Sequence, residues 1–498
     1  MLILLSIIFP IVCGILLYFR NRNKEPGGHA VYAAGILITD ALALAAAFSG
    51  QRLSLFTLSP KVNFAFAFDS VGRWFLVAVL LLYTLTLFYA FMYLRIEERE
   101  ATFLAFYFVS LGALISVCAS DNLVTAYLGF ELTTLSTVPL VLHEQTKDAV
   151  AAGLKYLFYS IGGALLGLLG VFVVYHFAGE SVAFVPGGIL DAVRVAGHEG
   201  TLRVACFLAI LGYGTKAGMY PMHGWLPTAH PIAPAPASAL LSGIIAKSGV
   251  LVIIRFVFYS VGPELIRGTW VQYAWIGIAL VTVFMGSMMA FQEKVLKKRL
   301  AYSTISQISY VMVGLALLTQ DGLNGSLLQV MQHAASKACL FLCAGAFIYL
   351  YNKRRVEELA GIGKTMPVVL WCFTFAAMSL VGIPPMGGFT SKWHLALASL
   401  HADVGFLSIL APVVLLISAL LTAGYLFPIM INGFFPPGEH AGHGHGADHE
   451  EHGGAGEQER VQEETPRMMW IPLIGLCLIT LFIGLFGNSL LGLFGGIV

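Results

Sequence analysis

Charge is what this chain has least of. Asp, Glu, Lys and Arg make up 11% of its 498 residues, with a formal balance of +1. An ordinary soluble domain carries about 25% charged residues, so a solvated globular surface is excluded. A near-neutral balance also gives no reason to expect a nucleic-acid partner. The seven cysteines (Cys13, Cys118, Cys206, Cys339, Cys343, Cys372, Cys477) fall in or beside apolar runs, with no CxxC or Cys/His zinc spacing. They read as small apolar filler, including Cys339 and Cys343 on one helix face. No nucleotide, flavin or iron–sulfur fingerprint is present, so no cofactor is expected and any redox chemistry would come from a partner. One stretch lacks apolar residues almost altogether: PPGEHAGHGHGADHEEHGGAGEQERVQEETPR at 436–467. Its polarity and glycine content predict a flexible loop. A metal site at His440, His443, His445, His449 and His452 is the alternative to a solvated linker, and neither metal binding nor function is assigned to it.

What is abundant is apolar sequence, at 58% of the chain. Helical membrane spans need about 20 apolar residues each, and about fourteen runs qualify. Their cores lie at 2–19, 31–48, 72–93, 103–118, 121–142, 155–177, 203–220, 236–259, 272–290, 302–318, 325–350, 366–381 with its continuation 388–401, 405–430 and 468–492. The fold class is all-α, a polytopic protein of the cytoplasmic (cell) membrane. The first run has no basic leader and no small-residue cleavage site, so a retained first helix is expected. Alternating the loops from the first one puts seventeen Lys and Arg on the cytoplasmic side, Lys294, Lys297 and Arg299 among them. Six fall outside (Arg52, Lys61, Arg73, Arg194, Arg203, Arg267) and five within spans (Lys216, Lys247, Arg255, Lys337, Lys392). This bias predicts both termini outside.

Two of the buried cations stand beside breaks. Lys216 lies in CFLAILGYGTKAGMYPMHGWL and Lys392 in AMSLVGIPPMGGFTSKWHLALASL. A charge near the bilayer centre costs at least ~2.5–3.5 kcal/mol. Similar interrupted segments in two halves of a membrane protein point to a transport site. Gly212, Gly214, Gly218 and Pro221 flank the first lysine; Pro384, Pro385, Gly387 and Gly388 precede the second. Freed backbone groups survive at membrane depth only beside protein or water, so the breaks would admit water; simple kinks are the alternative.

Glu131 lies near the middle of its span. Burial disfavours a lone carboxylate, and Lys216 is the nearest candidate to keep it ionised. A static ion pair would explain one pair. It would not explain Lys247, or His333 and Lys337 four residues apart on one helix face. Cations outnumber carboxylates here, and such groups exchange protons as a coupled set. Arg255 is expected to snorkel at the outer end of its span. Glu131 precedes Lys216 by 85 residues, and the same offset before Lys392 lands on Gln307, a neutral amide. The second half would then offer its lysine a weaker partner.

The stretch GYGTKAGMYPMHGWLPTAHPIAPAPASALLSGIIAKSG, with an upstream FEL glutamate and a downstream GIPPMGGFTSKW, resembles the proton-translocating antiporter-like subunits. These include large membrane subunits of respiratory complex I, of Mrp-type cation/proton antiporters and of energy-converting hydrogenases. The resemblance covers nearly the whole chain. It implies two inverted five-helix repeats, with the seventh and twelfth helices broken. Residues 1–100 would hold helices 1–3, 101–260 the first repeat, 261–432 the second, 433–467 the His-rich cytoplasmic loop and 468–498 helix 14. It also implies roles: Glu131 and Lys216 as partners, Lys247 as the central relay, His333 and Lys337 in the next relay region with His333 preferred, and Lys392 as the terminal group exchanging protons with the outside. Lysine at that last position, and a chain ending after the fourteenth span, favour an Mrp D-type assignment over the complex I M-type, which carries glutamate there. The His-rich loop departs from the family pattern. The implied function is proton translocation within a multisubunit Na+/H+ antiporter; the alternative is a redox-driven complex whose redox centres lie in partner subunits.

Overall fold

The computed structural model describes residues 1–21, 28–59, 62–436 and 465–493. Residues 437–464 of the His-rich stretch, with its five histidines and Arg460, and Arg22, Lys24 and Lys61, lie outside the described residues. The chain runs α1 (Leu2–Asn21), α2 (His29–Phe48), β1 (Arg52–Ser59), β2 (Val62–Ala67), α3 (Ser70–Tyr93), α4 (Glu100–Cys118), α5 (Leu123–Val141) and α6 (Lys147–Phe177). Next come α7 (Glu199–Ala217), α8 (Leu226–Ile232) and α9 (Ala235–Val261). Then follow α10 (Trp270–Gln292), α11 (Leu296–Ala316), α12 (Gln320–Tyr351), α13 (Pro367–Val381), α14 (Gly387–His401), α15 (Leu407–Phe434) and α16 (Arg467–Leu493).

Among the described residues, 11 helices are long and apolar enough to cross a membrane. Three further crossings are α11 and the pairs α7–α8 and α13–α14, which gives the fourteen spans that the apolar runs predict. In hydrocarbon every backbone group must be satisfied by protein, and the helix starts show how. Asn122, Thr146 and Thr319 accept from Thr125 N, Ala149 N and Gly322 N at 2.9, 3.1 and 3.1 Å, closing the first turns of α5, α6 and α12. Small residues then let backbones approach. A Cβ on Gly163 of α6 would stand 2.5 Å from the Gly212 carbonyl oxygen of α7, and one on Gly212 2.4 Å from that of Gly163.

The two breaks share one construction. α7 ends at Gly218 (φ 78°) and α13 at Gly382 (φ 96°). Only glycine enters this region freely. Each break is followed by proline and a second helix. The broken spans are the seventh and the twelfth, an odd number apart, so they cross in opposite directions.

Loops gather at two ends in the predicted alternation. At one end Asp121 N donates to Ala65 O (3.1 Å), Phe184 N to Asp121 O (2.8 Å) and Val185 N to Tyr259 O (3.3 Å). At the other, His29 pairs with Glu100 at 2.8 Å, Leu296 N donates to Arg354 O (3.0 Å) and Val356 N to Lys294 O (3.0 Å). The apolar-run reading has no place for the β1–β2 hairpin at the first end, whose Phe56 and Phe64 rings pack 4.3 Å apart. Its apolar segments are too short to register as spans.

Candidate functional site

Of the ionisable groups picked out by sequence, Lys216, Lys247, His333 and Lys337 are buried and Glu131 and Lys392 half-buried; Lys216, Lys247 and Lys392 stand at broken or distorted turns, Glu131, His333 and Lys337 within regular helix. Lys216 is in the last turn of α7 and is 1% exposed. Its Nζ donates to Phe130 O at 3.1 Å and Thr134 Oγ1 at 2.8 Å, and stands 4.2 Å from the centre of the Phe130 ring. Glu131 is on the same helix as these acceptors. It makes no ion pair among the described residues, and its Oε1 is buried without a hydrogen-bond partner. The two groups remain within electrostatic reach of each other. The expected partners are thus neighbours, with the lysine turned to neutral oxygens. Trp225 of the break holds the end of α7, donating from Nε1 to Thr215 O at 2.9 Å.

Lys247 follows a π-helical turn, Leu241–Ile245, in α9. Such turns free backbone carbonyls and recur at functional sites. Lys247 Nζ uses one of them, Ser242 O. Two residues on, Gly249 brings α9 against α7: a Cβ there would stand 2.5 Å from Tyr213 O and 3.3 Å from Lys216 Cβ. Lys337, on α12, donates to Leu300 O at 3.1 Å. His333 is fully buried, and neither ring nitrogen has a partner. It lies within electrostatic reach of Lys247, Lys337 and Lys392. Its neighbours are therefore cations, with no carboxylate to fix it.

Lys392 starts from α14 and reaches back across its break. Its Nζ donates to Leu380 O and to Val381 O (3.1 Å), and lies 5.0 Å from the Tyr310 ring centre. The carbonyls orphaned by the break are what holds this lysine. Gln307 makes no hydrogen bond to it. Instead Gln307 Oε1 accepts from Gln329 Nε2 (3.1 Å), and Gln329 Oε1 accepts from Ser391 Oγ (2.7 Å) and Gln332 Nε2 (2.8 Å). Gln332 Oε1 in turn accepts from Ser336 and Ser379, each at 3.3 Å. The second half thus carries a buried chain of neutral amides and hydroxyls.

Three further groups belong to this interior. His230 of α8 is fully buried, stacked on Phe341 at 4.7 Å, with both ring nitrogens unpartnered. It is within electrostatic reach of Lys297, Lys337 and Lys247. Lys297 is not the solvated loop residue that the charge count assumes. It is 5% exposed and donates to Pro231 O and Ala233 O at the end of α8. Arg255 does not snorkel either: it is 1% exposed and forms a two-pronged ion pair with Asp69. His230 sits within the diagnostic stretch, so its position was the signal; Lys297 and Arg255 stand near run ends, where basic residues ordinarily face water.

The family model described as NADH:quinone oxidoreductase/Mrp antiporter, transmembrane, matches residues 120–421. The N-type subunit of the NADH-quinone oxidoreductase of Desulforudis audaxviator is 30% identical over 445 residues, covering 87% of this chain and 84% of that one. The D-type subunit of the Na+/H+ antiporter of Alkalihalophilus pseudofirmus is 26% identical, covering 88% of each. A chain in the structure of the Mrp complex from Dietzia superposes with a TM-score of 0.81 at 24% identity, over 99% of this chain and 96% of that one, which establishes a shared fold. The match across the central spans, which carry Glu131, Lys216, Lys247, His333, Lys337 and Lys392, assigns the chain to the NADH:quinone oxidoreductase/Mrp antiporter transmembrane family.

Proposed function

We propose that this chain is a proton-translocating subunit of a multisubunit membrane complex, a Na+/H+ antiporter of the Mrp type. The observation that carries this reading is the row of cations Lys216, Lys247 and Lys337, all buried, and Lys392, half-buried, none ion-paired among the described residues, with the buried His333 unpartnered between them. Ionisable groups inside a membrane are rare and mark ion pathways and proton relays; these lysines rest on backbone carbonyls or a hydroxyl, which hold a lysine without neutralising it. Protons would be taken up from the cytoplasm near Lys216, pass Lys247 and His333, and leave outward at Lys392, with both termini outside. Glu131 and Lys216 would form the switch. In contact, the carboxylate keeps the lysine protonated; apart, the lysine loses its counter-charge and its proton moves on. The hydrogen bonds of Lys216 to Phe130 O and Thr134 Oγ1, with no ion pair to Glu131, are compatible with the separated arm of such a switch.

The test is proton exchange by the purified complex in proteoliposomes. Lys216→Ala or Glu131→Ala, with assembly intact, should abolish exchange, and near-normal flux in either would overturn the reading. The likeness to the quinone oxidoreductase relative favours a second reading, the same row driven by redox chemistry in partner subunits. Co-purifying subunits separate the two: small antiporter subunits for the first, NADH-oxidising, quinone or hydrogenase subunits for the second.

A further inference from the structure

The eighth span carries a second buried cation that the proton row does not use. Arg255 lies eight residues beyond Lys247 on α9, about 12 Å along the axis, toward the hairpin end. Both its terminal nitrogens are taken by one carboxylate: Nη1 donates to Asp69 Oδ2, and Nη2 to Oδ1 at 2.6 Å. Asp69 is itself fixed as the N-cap of α3, its Oδ1 accepting from Gly72 N at 2.8 Å. The pair has a buried member and a surface member, 1% and 35% exposed. Aromatic rings close the sides of the guanidinium, Phe184 at 4.9 Å and Tyr259 at 5.2 Å. A second pair, Arg52 with Asp121 at 3.0 Å, stands within electrostatic reach of the first.

A clasp holding α9 to α3 would explain the ion pair alone. It would not explain why the cation is an arginine, walled by rings, on the very helix that carries the central lysine. A guanidinium keeps its proton under all ordinary conditions, so it passes none on. A fixed cation also raises an electrostatic barrier to other cations and protons in a narrow passage. We propose that Arg255, anchored by Asp69, seals the hairpin end of the first half against protons. A proton on Lys247 is then denied the short route along α9 and leaves sideways, toward His333 and Lys392. This rests on the proton row proposed above. It adds the element that makes the row lateral instead of a leak.

The experiment measures passive proton leak through the purified complex in proteoliposomes, under an imposed pH gradient with no exchangeable cation present. Arg255→Met with Asp69→Asn removes the charge and its counter-charge together. The double variant should leak at least about tenfold faster than the parent, and Arg255→Lys, whose buried ammonium can release its proton where a guanidinium does not, should also leak severalfold faster. Adding Lys247→Ala should return the leak to the parental rate. An assembled double variant with parental leak overturns the proposal, as does a leak that survives Lys247→Ala. Should the double variant fail to assemble, Arg255→Gln, which keeps a polar side chain of similar length but removes the charge, takes its place, and an unchanged leak there overturns the proposal too. Coupled exchange in Lys216→Ala tests the row; passive leak tests only the seal, so the two failures are distinguishable.

Discussion

Lys216 Nζ donates to Thr134 Oγ1 at 2.8 Å, one helical turn from the unpartnered carboxylate of Glu131. A hydrogen bond to a charged group is worth about 1.5–3 kcal/mol. Thr134→Val removes it while keeping the shape, so the lysine should shift toward Glu131 by about 10- to 100-fold. The expected result is a slower exchange rate with unchanged assembly and thermal stability. An unchanged rate would mean that this contact holds nothing back.

His230 stacks on Phe341 and makes no side-chain hydrogen bond. Phenylalanine reproduces the ring and the stack without the nitrogens. His230→Phe should therefore leave the melting temperature of the complex within about 2 °C, since packing is kept and no bond is lost. Proton exchange should fall at least several-fold if the imidazole carries protons between Lys297 and the central lysines. Full exchange in an assembled His230→Phe complex would remove His230 from the path.

Gly382 has φ 96°, and a Cβ there would stand 3.2 Å from Lys392 Cδ. Gly382→Ala should cost about 1–3 kcal/mol in backbone strain and displace Lys392 from the carbonyls that hold it. Gly405, at φ 59° with nothing within 4 Å, is the control for strain alone. Loss of exchange in Gly382→Ala but not in Gly405→Ala is the expected outcome.

Gln329 joins Gln307, Gln332 and Ser391. Gln329→Leu would strand their buried polar atoms, at about 1–3 kcal/mol each. Thermal unfolding of the complex should shift down by several degrees, and exchange at Lys392 should slow. A variant as stable as the parent would show that the amide chain is not continuous in the membrane.

The fourteen crossings and the buried lysines were legible because a charge inside an apolar run is a strong signal against a quiet background. Glu131, Lys216, Lys247, His333, Lys337 and Lys392 all announce themselves in this way. Gln307, Gln329 and Gln332 do not, because a neutral amide costs little enough to pass as ordinary helix content. The 85-residue offset reached Gln307, yet its link to the Lys392 region runs through Gln329 and Ser391, a connection that no spacing reveals. Arg255 was misread for a related reason. Its partner, Asp69, lies 186 residues away, and only the fold brings a counter-charge to what looks like a water-seeking end.

The backbones of α6 and α7 touch at Gly163 and Gly212, where no Cβ would fit on either helix. A pair so closely seated cannot slide or tilt without opening a void, and interiors resist that. The carrier of Lys216 is then a fixed rail, and only its four-carbon arm is free to swing. Collective helix motions take microseconds to milliseconds. A switch that asks only the lysine arm to turn would not wait on them, and the pace of transport would be set by the breaking of that arm's hydrogen bonds and the arrival of water and charge around it.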